Sequence, residues 1–361
     1  MIKGVTYMDL NEVIDKDFSG CISVKKKGTT IFQKAYGYAH LSDRILNKLD
    51  TRFATASAGK VFVAVAVLQL IEQGKLKLTD NIGSLLDFDL KEIDPDITVE
   101  ELLTHTSGIP DYFDESVMEE YDELWKDFPN YKIRSNRDLL PLFIDKPMMY
   151  PRKEKFFYNN TGFVVLALII ESVTYMDFDM YLKKNVFNMA GMDRTGYYEL
   201  DRLPEGCADN YIYDEKRKEF YKNIYSVDAK GTGAGGAFTT VCDVERFWEA
   251  LINYRLLSKD MTERMLSQQS ISDGAHSYGY GIWLRTDFGD EMIPYFMGSD
   301  PGVSFVSAYN RKEDMIITVV SNFEDNVWKI WRNVRSRCLQ ITDNSDTEAV
   351  AYGACLMEII F

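Results

Sequence analysis

Histidine is scarce in this chain: only His40, His105 and His276 occur in 361 residues. A Ser-His-Asp triad would have to take its base from these, and none sits in a catalytic-looking setting. His105, at a helix end before Thr-Ser-Gly, reads as a cap or turn residue. The five cysteines (Cys21, Cys207, Cys242, Cys338, Cys355) are scattered, odd in number and without CxxC spacing. Neither a disulfide frame nor a zinc site is expected from them. There is no GxSxG elbow, no GxxxxGK[ST] and no HExxH. The run 231-GTGAGG-236 resembles a phosphate loop, but lacks the Lys-Ser/Thr ending and a preceding apolar strand.

Positive charge is also in short supply. With 41 Lys and Arg against 56 Asp and Glu, the net charge is -15 and no basic stripe is present. A nucleic-acid partner is therefore not expected, since phosphate-backbone affinity comes mostly from Lys and Arg. Apolar runs such as Val61–Leu68 are far short of the roughly 20 residues of a membrane-spanning helix. The start, MIKGVTYMDLNEVIDKDF, has no apolar core and carries acids early. No signal peptide is read there, and a cytoplasmic location is expected.

What is present is a foldable core. The chain is 46% hydrophobic and 13% aromatic, enough for one large or two intimate domains and too much for a disordered chain. Residues 19–39 read as two strands around a KKKG turn. A helix over 57–73 ends at Gly74, and Thr98-Val-Glu-Glu101 is a capping box opening a short helix. Further helical patterns cover 136–145 and 162–173, the latter capped by Asn159-Asn160-Thr161, and another helix starts near Val241. Alternation predicts strands over 303–311 and 314–322, with Lys312 and Glu313 in the turn, then an amphipathic helix over Val327–Leu339. The expected fold class is α+β: a discontinuous body from 1–75 and 229–361, with a mostly helical region over 76–228. The tail 343–361 is unassigned, and oligomeric state is not readable.

With histidine scarce, a serine nucleophile needs another base, and a lysine three residues on supplies one. Residues i and i+3 of a helix share a face, about 5–6 Å apart at Cβ. In 57-SAGK-60, Lys60 can thus reach the Ser57 hydroxyl, while the helix N-terminus favours a developing oxyanion. An amine seated among apolar neighbours has its neutral form favoured, which suits a general base. The spacing alone is weak: a cap followed by a snorkelling lysine gives the same letters. It also recurs at Ser23-Val-Lys-Lys26, in a strand running into a turn. Ser57 differs in opening a helix that is apolar all round, hence buried.

Eight ordered blocks carry a wider likeness: 19–39, 57-SAGK-60, 70-LIEQGKLKLTD-80, 97-ITVEELLTHTSGIPDY-112, 158-YNNTGFVVLALIIE-171, 233-GAGGAFTT-240, 278-YGYGIW-283 and 301-PGVSFVSAY-309. Through them the chain, from Phe18 to Asn322, resembles the serine β-lactamase and penicillin-binding-protein superfamily. The likeness is to its class C-like branch of D-Ala-D-Ala peptidases, D-aminopeptidases and esterases. The resemblance implies a mainly antiparallel sheet flanked by helices, and acyl transfer without metal or organic cofactor. The implied substrate is a small-molecule or peptide-like acyl compound. Ser57 would be the acylated nucleophile, Lys60 its proton-transfer partner and Tyr158 the proton shuttle. Asn160 would hold Lys60 and donate to the substrate. YxN alone is weak, since Tyr221-Lys-Asn223 also matches.

The third motif departs from the family. Where Lys-Thr-Gly or His-x-Gly is usual, this chain has Phe296-Met297-Gly298, followed by Ser299. The cation is gone; Gly298 still allows close approach, and the Ser299 N–H could join that of Ser57 in an oxyanion hole. Three readings stay open. One is an esterase- or amidase-like hydrolase, another a D-amino-acid peptidase or β-lactamase taking its cation from Arg285 or Arg311. The third is a non-catalytic ligand-binding or regulatory protein.

Overall fold

The computed structural model describes residues 10, 14–114, 117–118, 121–286 and 292–340; the tail 343–361 lies outside them. Its frame is one eight-stranded sheet, antiparallel at every pairing. In chain order the strands are β1 (Gly20–Lys26), β2 (Thr29–Tyr36), β3 (Ser270–Ile271), β4 (His276–Tyr278), β5 (Trp283–Arg285), β6 (Ile293–Asp300), β7 (Val303–Asn310) and β8 (Met315–Ser321). Their order across the sheet is β2-β1-β8-β7-β6-β5-β4-β3. The amino-terminal hairpin therefore pairs with the last strand, and the body is built from both halves of the chain.

Local chemistry explains the turns. The β1–β2 link is Lys27-Gly28, both left-handed at φ 50° and 72°, the geometry a two-residue hairpin loop needs. In β8, Met315, Ile317 and Val319 pack on one face while Ile316 and Val320 pack on the other, the period of two that makes a strand buried on both sides. The helix over 327–340 covers the first face with Val327, Ile330, Trp331, Val334 and Cys338. This matches the amphipathic pattern read over Val327–Leu339.

The other face carries the helices that position the site. They are α1 (Lys60–Glu72), α2 (Val99–Leu103), α3 (Asn160–Thr174) and α4 (Val241–Ile252). Helix α1 is buried from Lys60 to Leu70, and its Phe62 ring meets Phe247 of α4 edge-on at 5.0 Å. Capping follows the expected residues: Thr98 and Glu101 form the box of α2, and Asn159 accepts from Gly162 N at α3. Between α1 and α4, residues 76–228 hold α2, α3, short 3₁₀ turns and a hairpin pairing Tyr211–Asp214 with Glu219–Lys222. The stretch expected as a helix over 136–145 is a 3₁₀ helix over Asn136–Leu142 with Pro141 inside it. A proline there lacks the N–H that an α-helix would use. Among the described residues, no single helix is long and apolar enough to cross a membrane.

Candidate active site

Ser57 does not begin an α-helix, as its pattern suggested. It stands on a 3₁₀ turn, Ala56–Gly59, that runs into α1 at Lys60. Three residues make one turn of such a helix, so Ser57 and Lys60 are eclipsed rather than merely on one face. The preceding residue, Ala56, is fully buried with φ at 46°, a conformation a non-glycine residue holds only when its surroundings impose it. Here they do. Ala56 O accepts from Gly236 N at 3.1 Å, and Thr55 N donates to Ala237 O at 2.8 Å. A Cβ on Gly235 would lie 2.4 Å from Ala56 O. The glycine-rich run 231–236 thus wraps the serine turn.

Lys60 is 2% exposed. Its Nζ lies 3.0 Å from Ser57 Oγ, 2.8 Å from Asn160 Oδ1 and 2.5 Å from the Ala234 carbonyl oxygen. The Tyr158 ring centroid is 5.0 Å away. Two of the three close partners are carbonyl oxygens, which can only accept; the third is a hydroxyl, which can also donate. A protonated amine satisfies all three as a donor; the neutral amine also does so, giving its two N–H groups to the carbonyls and turning its lone pair to the Ser57 O–H, the form a general base needs. By contrast, at the second SxxK, Ser23 Oγ bonds Glu245 and Lys26 pairs with Glu313 at 3.0 Å. Three residues apart on a strand, those two side chains point to opposite faces.

Asn160 is fixed by groups the sequence did not single out. It is the first residue of α3, and Asp111 accepts from Asn160 N (2.8 Å) and Thr161 N (3.1 Å). Burial pushes Asp111 up to about 6, opposed by those N–H donors and by the charge of Lys60. His105 fills the turn role expected of it, at φ 55°, and does something more. Its carbonyl accepts from Phe157 N (2.9 Å) and its Nδ1 from Asn159 N (3.1 Å), clipping the chain on both sides of Tyr158. Burial, then the charge of Lys60, hold the imidazole well below its ordinary value, so it sits there neutral. Tyr158 itself stacks on Trp283 at 5.7 Å and meets the His105 ring at 4.6 Å.

The third-motif residues separate by strand alternation. Phe296 is 3% exposed, its ring packed into the core against Trp248 (5.2 Å), Phe247 (5.7 Å) and Phe62 (6.4 Å). Met297 packs on the opposite face with the 327–340 helix cluster, and Ser299 is exposed. Gly298 alone abuts the serine turn: a Cβ there would lie 2.2 Å from Thr55 O and 2.7 Å from Ser57 N. Strand β5 pairs with β6 only over Ile293–Tyr295, so among the described residues no strand of the sheet covers that edge of 296–300. The proposed alternative cations lie elsewhere. Arg285 stacks 4.7 Å over Trp328, and Arg311 pairs with Glu263 at 3.1 Å.

A cavity opens beside Ser57, Asn160 and Ala234, and its wall includes Tyr112, Tyr121, Asn210, Asn223, Asp228 and Asp300. Sequence reasoning missed Ala234, Asp111, Asp228 and Asp300. Only Asp300 carried a signal: with period two it shares the face of Gly298.

A Ser–Lys–Asn cluster set against the edge of an antiparallel sheet flanked by helices defines the β-lactamase-like class of serine hydrolases. The chain belongs to the Beta-lactamase family, which matches residues 17–329. Among solved structures it is similar to the penicillin binding protein from Bacillus halodurans. That likeness has 36% identity and a TM-score of 0.87, over 91% of this chain and 99% of the other. Among characterised proteins it is 27% identical to penicillin-binding protein 4* of Bacillus subtilis, over 86% of this chain and 69% of that one. It is also 24% identical to the teichoic acid D-alanine hydrolase of Staphylococcus aureus, over 88% of this chain and 74% of that protein.

Proposed function

We propose that the protein is a serine hydrolase working through an acyl-enzyme on Ser57, with esterase- or amidase-like activity. The observation that carries this reading is the Lys60 amine, 3.0 Å from Ser57 Oγ and tied to two carbonyl oxygens. Ser57 Oγ attacks the acyl carbon as its proton passes to Lys60 Nζ. The tetrahedral oxyanion forms by the Ser57 N–H, with the Ser299 N–H as second donor. Lys60, with Tyr158 as relay, returns the proton to the leaving oxygen or nitrogen as that bond breaks. Water then repeats the sequence on the ester and frees the acid. Asn160 holds Lys60 through Oδ1 and offers its amide to the substrate. The family supports hydrolysis as the reaction class; the relative named teichoic acid D-alanine hydrolase is one such enzyme.

A non-catalytic ligand-binding protein is the second reading, favoured by Phe296, which brings no cation to the cavity. A panel of p-nitrophenyl esters, nitrocefin and D-amino-acid amides separates the readings. Turnover abolished by Ser57→Ala supports the enzyme, and turnover of nitrocefin alone would make it a β-lactamase. No turnover of any member, together with no labelling by acyl-serine probes, would leave the binding protein.

A further inference from the structure

From Phe157 to Thr161, the chain that carries Tyr158 and Asn160 is held by one loop, residues 105–111, which follows α2. His105 O accepts from Phe157 N at 2.9 Å, and His105 Nδ1 from Asn159 N at 3.1 Å. Ile109 O accepts from Asn159 Nδ2 at 2.8 Å, and Asp111 takes the amides of Asn160 and Thr161. Asp111 thereby caps α3 from outside. His105 acts one step earlier. With φ at 55°, a conformation that its surroundings must impose, its carbonyl and its ring both serve the same three residues. The two bonds bracket Tyr158. The imidazole also lies 4.6 Å from the Tyr158 ring, which meets Trp283 at 5.7 Å and the Lys60 amine at 5.0 Å.

The imidazole is 1% exposed, and the rings of Phe156, Tyr158, Phe163 and Tyr278 stand 4.6–5.7 Å from it. Because Nδ1 accepts a backbone N–H, the one proton of the neutral ring sits on Nε2. Among the described residues Nε2 has no hydrogen-bond partner; the aromatic faces around it are weak acceptors. A buried donor left in that state is costly. A phenyl ring would fill the same box without that cost. What imidazole alone brings is the acceptor at Nδ1, and it is used on the peptide that joins Tyr158 to Asn159.

Resting on the hydrolase reading above, we infer that His105 is a positioning residue for proton return: by fixing the Tyr158–Asn159 peptide through Nδ1, it aims the Tyr158 hydroxyl at the leaving group. His105 is not part of the cavity wall and acts only through Tyr158. The step it governs is collapse of the first tetrahedral intermediate. The bond from the acyl carbon to the leaving oxygen breaks and the carbonyl re-forms. The proton that Lys60 took from Ser57 passes through the Tyr158 hydroxyl to that oxygen. A leaving group that departs as a stable anion needs no such proton, whereas an alkoxide does.

The test measures kcat/KM for p-nitrophenyl butyrate and ethyl butyrate, which share an acyl group and differ in leaving group. His105→Phe keeps a ring in the box and removes the acceptor. It should cut ethyl butyrate turnover about 30-fold, within the roughly 10²–10⁴ that a positioned general acid supplies, and p-nitrophenyl butyrate turnover by about threefold or less. His105→Asn places an oxygen near the position of Nδ1. It should bring the ethyl ester back to within about threefold of wild type while melting lower for want of the ring. In a Tyr158→Phe background, adding His105→Phe should cost the ethyl ester almost nothing more, as residues acting through one another require. Equal losses for the two esters, or an undiminished loss in the Tyr158→Phe background, would overturn the inference and leave the hydrolase reading standing. So would a 15N NMR spectrum of histidine-labelled wild type, assigned by the signal lost in His105→Asn, that puts the His105 proton on Nδ1. No turnover of either ester, together with no labelling of Ser57 by a fluorophosphonate, would sink the hydrolase reading and the inference with it.

Discussion

Ser57 and Ser23 each precede a lysine by three residues, and only Ser57 stands beside its lysine. What distinguishes them is backbone curvature, which the strand pattern around Ser23 and the apolar run after Lys60 both announced. Replacing Lys60 by Met keeps the buried volume and removes the base. Ser57 acylation should then fall by about 10²–10⁴-fold, measured as the rate of probe labelling against wild type. The partners of Lys60 were only half legible. Asn160 came with the resemblance, whereas the Ala234 carbonyl lies 174 residues away and a main-chain acceptor leaves no mark in a sequence. Asp111 and Asp228 were equally silent, because burial rather than spacing makes them unusual.

Asp228 also carries a pH signature. Burial raises its carboxyl to about 7, partly offset by the Tyr121 hydrogen bond. The neighbouring phenols, Tyr121 and Tyr112, are held well above their ordinary value by burial and by Asp228 and Asp300, so they stay protonated. A carboxyl raised on folding stabilises the native state fully below its ordinary value near 4, and that contribution is lost as pH rises through 7. Asp228→Asn, which still accepts from Tyr121, should therefore melt increasingly above wild type between pH 5 and pH 8. Thermal unfolding at both ends of that interval checks the sign.

At the scale of elements, the site depends on close backbone approaches that only glycine permits. Gly298 brings β6 against the Ser57 turn, and Gly235 does the same for the 231–236 loop. Gly298→Ala would place a Cβ 2.2 Å from Thr55 O and 2.7 Å from Ser57 N. That overlap should cost about 1–3 kcal/mol of stability and slow Ser57 labelling at least tenfold, read by denaturant unfolding and labelling rate on the same sample. The elements themselves were readable where period and caps agreed: the β1–β2 hairpin, α2 with its capping box, α3 behind Asn159. Two were not. The 3₁₀ turn carrying Ser57 exists because Ala56 is forced to positive φ by tertiary contacts, which no local propensity encodes. The Phe296–Ser299 stretch was placed at the site as a block. Alternation instead sends Phe296 into the core and Met297 to the far face, leaving Gly298 beside Ser57.

The whole molecule is a device for gathering distant segments. Residues 54–60, 111–113, 158–160, 231–236 and 298–300 converge on one cavity edge, and the sheet behind them joins the two ends of the chain by pairing β1 with β8. Several of the blocks that carried the family likeness, 57–60, 158–171 and 233–240 among them, each supply a residue of the cavity wall. Packing behind the sheet is then a condition of the site's geometry. Trp331, 1% exposed on the 327–340 helix, anchors the rear layer, and Trp331→Ala should destabilise the fold by about 3–5 kcal/mol. Labelling should survive in the cold and disappear at the lowered melting temperature, since Trp331 touches the fold and not the chemistry.

The central claim, that Ser57 is a nucleophile activated by Lys60, is met most directly by reacting the native protein with a fluorophosphonate and mapping the adduct by peptide mass spectrometry. The account predicts one adduct, on Ser57, absent in Ser57→Ala and at least 100-fold slower to form in Lys60→Met. An adduct on another serine that persists in Ser57→Ala, or a Lys60→Met protein that labels at the wild-type rate, would contradict it.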